Sequence, residues 1–186
     1  MKRQIPLFLG LIATLLFLSC DETETFDDRW KLANEAKFIE ISANSEYTKL
    51  PALTGKGHVM YKKIESGDGE TPLFTDIVKV LYTGWYKNDW TIEADTYTDD
   101  RGNVITNKIV FDSTGNRENT PARFNVNGVV PGFSTALQHM QVGDKWEVWI
   151  PWELAYGANG RNPIPGHTML VFEVELVDIV RQYHYE

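Results

Sequence analysis

Three polar side chains set among aromatic and apolar residues are the candidates for chemistry: Tyr82 in VLYTGWY, Asp112 in VFDST and Tyr156 in LAYGANGRNPIPGHT. Taken alone, each has two readings. Tyr156, in a glycine- and proline-rich stretch after the strand-like DKWEVWI, is either the anchor of a surface turn or the polar member of a pocket. Asp112 precedes STGN and reads locally as a turn residue capping its own backbone. Tyr82 stands on an apolar stripe, as a core tyrosine with a satisfied hydroxyl would. Other chemistries find little support. His58, His139, His167 and His184 have no close metal-ligand spacing, and no cysteine is available to join them. No serine lies in a nucleophile-elbow motif, GKGH lacks the phosphate-loop pattern, and ESGDGE lacks the spacing and terminal glutamate of a calcium loop.

The elements that must position these residues follow from periodicity. TDIVKVLYTGWY alternates, with Val78, Val80 and Tyr82 on one face and Ile77, Lys79 and Leu81 on the other. DKWEVWI alternates too, as does TMLVFEVELVDIV, where Leu170, Phe172, Val174 and Leu176 oppose Glu173 and Glu175. HVMYKKIE, IVFDS and ARFNV read as shorter strands. PGFSTALQHM changes to helical spacing, with Phe133, Ala136, Leu137 and Met140 on one stripe and Pro131 near the start, where proline is tolerated. A second, short amphipathic helix is expected from Trp30 to about Ile41. Residues 87–108 are polar and irregular, with a turn at DDRGN; a loop of that length in a compact domain is usually functional or disordered. The sum is an α+β domain: a mostly antiparallel sheet with one short helix to cover its apolar face.

The ends carry different information. MKRQ, the apolar run IPLFLGLIATLLFL and the SC that follows form a signal-peptide pattern over residues 1–19. Its apolar stretch is short for a transmembrane helix. Cys20, the single cysteine, ends that run and precedes acidic DETETFDD, and the junction resembles a bacterial lipobox, so lipidation at Cys20 is expected. Cleavage would remove Lys2 and Arg3 and no acid, moving the formal net charge from −8 to −10. That balance argues against nucleic acid and against binding to anionic lipid surfaces. With one cysteine no intramolecular disulfide forms, and stability must come from the core that 42% apolar residues can supply.

VLYTGWY, VFDST, VVPGFSTALQHMQVGDKWEVWIP, LAYGANG, IPGHT and LVFEVEL occur in one order and at close spacing. Together they resemble the FKBP-type peptidyl-prolyl cis-trans isomerases, in particular the bacterial Mip-like branch, from about His58 to Ile179. The resemblance implies a twisted antiparallel sheet wrapped around a short helix, with the pocket between them. It assigns Tyr82, Asp112, Tyr156 and Phe172 to catalysis, and Phe111, Phe124, Val129, Val130, Phe133 and Ile164 to substrate binding. It implies proline-containing polypeptide substrates, macrolide inhibitors as possible ligands, no cofactor and no metal. Two positions depart from the pattern: Phe133 stands where much of the family has a tryptophan floor, and Ala122 replaces an aromatic common near PARF. The segments expected are a signal peptide at 1–19, an acidic tether at 20–29, a helical extension at 30–57 and an isomerase domain at 58–186. Its insertion at 87–108 is expected to fold over one rim of the pocket.

The implied reaction is rotation about an X–Pro bond in extracytoplasmic polypeptides, by a protein lipid-anchored in the bacterial envelope, at the outer membrane. A weakly catalytic or non-catalytic polypeptide-binding module is the alternative, favoured by Phe133 and Ala122; the intact set of Tyr82, Asp112 and Tyr156 favours the enzyme.

Overall fold

The computed structural model describes residues 25–181; residues 1–24, with the signal-peptide pattern and Cys20, and residues 182–186 lie outside them. Helix α1 (Phe26–Ala43) opens the described chain. The Thr25 side chain accepts the Asp28 N–H at 3.2 Å, and the Asp28 carboxylate accepts the Thr25 N–H at 3.1 Å. This reciprocal cap satisfies two donors at the helix start, and Asp27 and Asp28 complement the positive end of the helix dipole. The helix therefore begins inside the segment expected as tether, ahead of Trp30. Trp30, Asn34 and Ile41 are buried, with Lys37 and Phe38 half-buried beside them.

Among the described residues nine strands follow: β1 (Thr48–Pro51), β2 (His58–Glu65), β3 (Ile77–Lys87), β4 (Thr96–Thr98), β5 (Val104–Thr106), β6 (Lys108–Ser113), β7 (Ala122–Asn125), β8 (Lys145–Ile150) and β9 (Leu170–Val180). Between β7 and β8 lies helix α2 (Pro131–Leu137). The main sheet is antiparallel in the order β1-β2-β8-β9-β3-β6, with β7 also paired to β3. This is the α+β architecture expected from the alternation. Val78, Val80 and Tyr82 of β3 are buried, as are Leu170, Phe172, Val174 and Leu176 of β9, while Glu173 points to solvent. Strand β1 lies within the segment expected as helical.

Helix α2 starts with Pro131 at its first turn and buries Phe133, Ala136 and Leu137. It packs closely enough on β8 that a Cβ at Gly132 would sit 2.3 Å from Ile150 Cγ2, so only glycine permits this approach. Ile150 and Val148 therefore face α2, and Trp149 between them faces outward.

The insertion covers that outer face and not the pocket. Trp90 is buried, with ring centroids 6.0 Å from Trp85 and 5.7 Å from Trp149. Buried Asn107 holds the base of the segment by donating to the carbonyls of Asp89, Ile92 and Ala94 at 3.0–3.1 Å. The tip is the β4–β5 hairpin, closed by the Asp99 N–H donating to the Asn103 carbonyl at 2.9 Å. No residue of 87–108 lines the cavity described below. The segment therefore does not take the rim position expected for it: Trp90 is buried against Trp85 of β3 and Trp149 of β8.

Candidate functional site

Between α2, the inner face of the sheet and the long β8–β9 loop lies a cavity of about 470 Å³. Its lining is Tyr82, Phe111, Asp112, Phe124, Gly128, Val129, Val130, Phe133, Tyr156, Arg161 and Phe172. Every residue expected at the site is brought together here except Ile164, which is buried in the β8–β9 loop and is not among the lining side chains. Its N–H donates to the Arg161 carbonyl at 2.6 Å and its carbonyl accepts the Arg161 N–H at 2.9 Å, so its backbone closes a tight turn.

The sheet shapes the cavity in three ways. Gly84 pairs with Asp112 and the next residue, Trp85, with Val110, leaving Phe111 as an extra residue in β6. That bulge re-aims the strand, so that consecutive residues Phe111 and Asp112 both reach one cavity. Gly84 itself makes room: a Cβ there would lie 2.6 Å from Phe111 Cζ and 2.7 Å from Phe172 Cε1. Finally, one edge of β3 is split. Its first half pairs with β7 up to Val80–Ala122, and its second half pairs with β6 from Thr83–Ser113. At the break, buried Thr114 Oγ1 accepts the Tyr82 N–H at 3.0 Å and donates to the Tyr82 carbonyl at 3.2 Å. A side chain thus stands in for a missing strand partner, as buried backbone groups require.

The aromatic walls are mutually packed. Phe133 and Phe172 lie 4.7 Å apart, Phe111 meets Phe172 edge-on at 5.5 Å, and Phe124 meets Tyr82 edge-on at 5.5 Å and Phe133 at 6.4 Å. Edge-to-face contacts of this kind add to the stability of the box beyond area burial.

The polar side is a relay of three. The Tyr82 hydroxyl donates to Asp112 Oδ2, and Arg117 donates to Asp112 Oδ1 at 2.6 Å. Burial first, then the hydrogen bond and charge of Asp112, raise the Tyr82 hydroxyl above its ordinary range, so it remains a neutral donor. Both carboxylate oxygens of Asp112 are thus engaged, Oδ2 by Tyr82 and Oδ1 by Arg117. Tyr156 differs. Among the described residues its hydroxyl has no hydrogen-bond partner within the protein, and the Arg161 guanidinium sits 5.5 Å from its ring centroid.

Sequence reasoning missed Arg117, Arg161, Gly84, Gly128 and Thr114. Arg117 was open to detection, since it follows Asp112 within a turn, Thr114–Arg117, whose N-cap Ser113 accepts the Gly115 N–H at 3.0 Å. A larger cavity, about 750 Å³, lies between α1, residues 54–58 and Pro151–Leu154; it shares none of the convergent Tyr–Asp–Arg geometry. Among the described residues no group of three or more His, Cys, Asp or Glu is placed to hold a metal, and no helix is long and apolar enough to cross a membrane.

Comparison with known proteins bears on this geometry. The FKBP-type 22 kDa peptidyl-prolyl cis-trans isomerase of Escherichia coli (strain K12) is 38% identical over 149 residues, 80% of this chain and 61% of that protein. Outer membrane protein MIP of Legionella longbeachae is 34% identical over 122 residues, 65% of this chain and 44% of its own. The chain thus spans between 44% and 61% of the length of these relatives. Among solved structures, a peptidyl-prolyl cis-trans isomerase from Pseudomonas syringae pv. tomato str. DC3000 superposes with TM-score 0.63 at 25% identity, covering 86% of this chain and 99% of that one. FkpA from Escherichia coli superposes with TM-score 0.60 at 30% identity, covering 82% and 62%. The family model described as FKBP-type peptidyl-prolyl cis-trans isomerase matches residues 69–177, which hold every wall of the cavity, and the chain belongs to that family.

Proposed function

We propose that this protein catalyses cis-trans rotation about X–Pro bonds in extracytoplasmic polypeptides, with the aromatic cavity as its active site. The observation that carries the reading is the joining of a packed aromatic box to a neutral tyrosine donor and a carboxylate whose two oxygens are already bound. The X–Pro amide resists rotation because partial double-bond character must be lost, at a barrier of about 18–20 kcal/mol. A site that accepts the twisted amide better than either planar form lowers that barrier without a nucleophile. In this assignment Phe133 and Phe172 seat the proline ring, with Phe111 and Phe124 as side walls. The Tyr156 hydroxyl and the Val130 N–H hold flanking carbonyls. Asp112 orders the pocket field, held by Tyr82 and Arg117. Macrolides that mimic a prolyl segment fit the same reading as inhibitors.

A protease-coupled prolyl isomerisation assay on the purified protein tests the proposal. Turnover no faster than the uncatalysed reaction, with polypeptide binding retained, would instead establish the non-catalytic binding module that the Phe133 floor favours. Tyr156→Phe keeps the ring and removes one hydrogen bond. It is expected to cost about 1 kcal/mol, roughly a fivefold loss in kcat/KM, read from the same assay.

The address belongs to the same proposal. The lipobox-like junction at Cys20 supports acylation there, the acidic run after it fits anchorage at the bacterial outer membrane, and the likeness to Outer membrane protein MIP supports assignment to the Mip-like branch. A single acyl chain binds only marginally, so the acylated cysteine carries two or three. Cys20→Ala is expected to release the protein from the membrane fraction into the detergent-poor phase. Unchanged partitioning would overturn the anchor.

A further inference from the structure

The family match covers residues 69–177, and α1 lies wholly outside it. Yet α1 is fastened at both ends of the β8–β9 loop, residues 151–169, which carries Tyr156 and Arg161. Near the loop's start, Trp152 Nε1 donates to Glu35 Oε1 at 3.1 Å. Near its end, Trp30 Nε1 is shared between the Gly166 carbonyl at 3.0 Å and Thr168 Oγ1 at 3.2 Å, and Thr168 Oγ1 in turn donates to the Pro165 carbonyl at 2.7 Å. The Met169 N–H donates to buried Asn34 Oδ1 at 2.9 Å.

These contacts lead to the site by a short covalent and hydrogen-bonded path. Gly166 precedes His167, whose N–H donates to the Gly157 carbonyl at 3.0 Å; Gly157 follows Tyr156 and donates its own N–H to the Trp152 carbonyl at 2.9 Å. The His167 ring stands edge-on to Trp152 at 4.6 Å. Within the loop the only other regular features are a short turn, Trp152–Leu154, and the Arg161–Ile164 bridge. A loop this long, with no strand and a single three-residue 3-10 helix of its own, depends on outside contacts for order.

We propose that α1 is a positioning element for the Tyr156 loop, with Trp30 its principal positioning residue and Glu35 its second anchor. The catalytic consequence rests on the isomerase reading above. A loop ordered before substrate arrives need not be ordered at the expense of binding. Loosening the loop therefore weakens ground state and transition state alike. That signature is a raised KM with kcat preserved, which a general loss of folded protein would not produce.

The test uses the full chain. Trp30→Phe keeps a ring against Tyr86, 6.1 Å away edge-on, and removes the donor. Amide hydrogen exchange at His167 and Ile164 is expected to quicken about tenfold, with exchange in β3 and β9 unchanged. KM for a short prolyl peptide is expected to rise roughly three- to tenfold at constant kcat. Glu35→Ala, on the helix surface, removes the acceptor of Trp152 and should quicken exchange at Gly157 in the same way; it carries the test if Trp30→Phe does not fold. Wild-type exchange in the loop of a folded variant overturns the clamp. Faster exchange with unchanged KM overturns its role in positioning. If the wild-type protein shows no isomerase activity, the functional reading fails, while the exchange measurement still decides whether α1 orders the loop.

Discussion

Phe172→Ala is expected to lower stability by about 3–5 kcal/mol and to remove most turnover. The ring is buried, lies 4.7 Å from Phe133 and meets Phe111 edge-on, and in the sheet it sits between Val148 of β8 and Gly84 of β3. Truncation leaves a void that three neighbouring rings cannot fill without leaving their own contacts. The void opens into the 470 Å³ cavity, so water can enter it, which places the cost toward the lower end of the range. Phe172→Leu separates the two effects. It keeps most of the volume, so its urea midpoint should fall far less, while on the proposed isomerase assignment kcat/KM still drops, because the flat face assigned to the prolyl ring is lost. Equal losses of activity and stability in both variants would show that Phe172 is core alone.

Asn34→Leu is expected to cost about 2–5 kcal/mol although leucine has the same number of side-chain heavy atoms and the same branching. Asn34 is fully buried, and its Oδ1 accepts both Trp90 Nε1 at 3.0 Å and the Met169 N–H at 2.9 Å, while its Nδ2 donates to the Trp30 carbonyl at 2.9 Å. Leucine satisfies none of these and leaves two buried donors without acceptors, each worth roughly 1–3 kcal/mol. Part of that loss is recoverable. Adding Trp90→Phe deletes one orphaned donor, so the double variant should be less destabilised than the two single changes summed, in a thermal or urea double-mutant cycle. Simple additivity would mean that the Asn34–Trp90 hydrogen bond contributes nothing. Because Trp90 is joined to α1 as well as to the sheet, cutting the insertion back to a short turn is expected to cost stability.

What the sequence made legible was what repeats locally. Alternation put Val78, Val80 and Tyr82 on the inner face and Leu170, Phe172, Val174 and Leu176 on theirs, because a strand's period of two is written into neighbouring residues. The motif order then placed Asp112, Tyr156 and the phenylalanines at one cavity. What escaped was set by partners distant in the chain. Trp90 reads as one aromatic in a polar run until Asn34 and Trp149 are beside it. Asn34 reads as a polar interruption of an amphipathic helix. Ile164 matched a motif, but it lies in a turn closed with Arg161 and is not among the residues lining the cavity. The start of α1 was readable after all, since Thr25 and Asp28 have the spacing of a reciprocal cap, with aspartate in place of the usual glutamate.

The break along β3 has a further consequence. Because Thr114 completes the Tyr82 backbone where neither β6 nor β7 reaches, the hollow beside it exists before any lining side chain is chosen. Its address is written in the main chain, and its furnishings are separate. Exchange of a lining side chain such as Phe133 is expected to redecorate the hollow without relocating it. Thr114→Val does the reverse, leaving every wall in place while unfastening the hinge from which they hang. Drift in ligand preference is thus cheap for such a sheet, and drift in the position of the site is not.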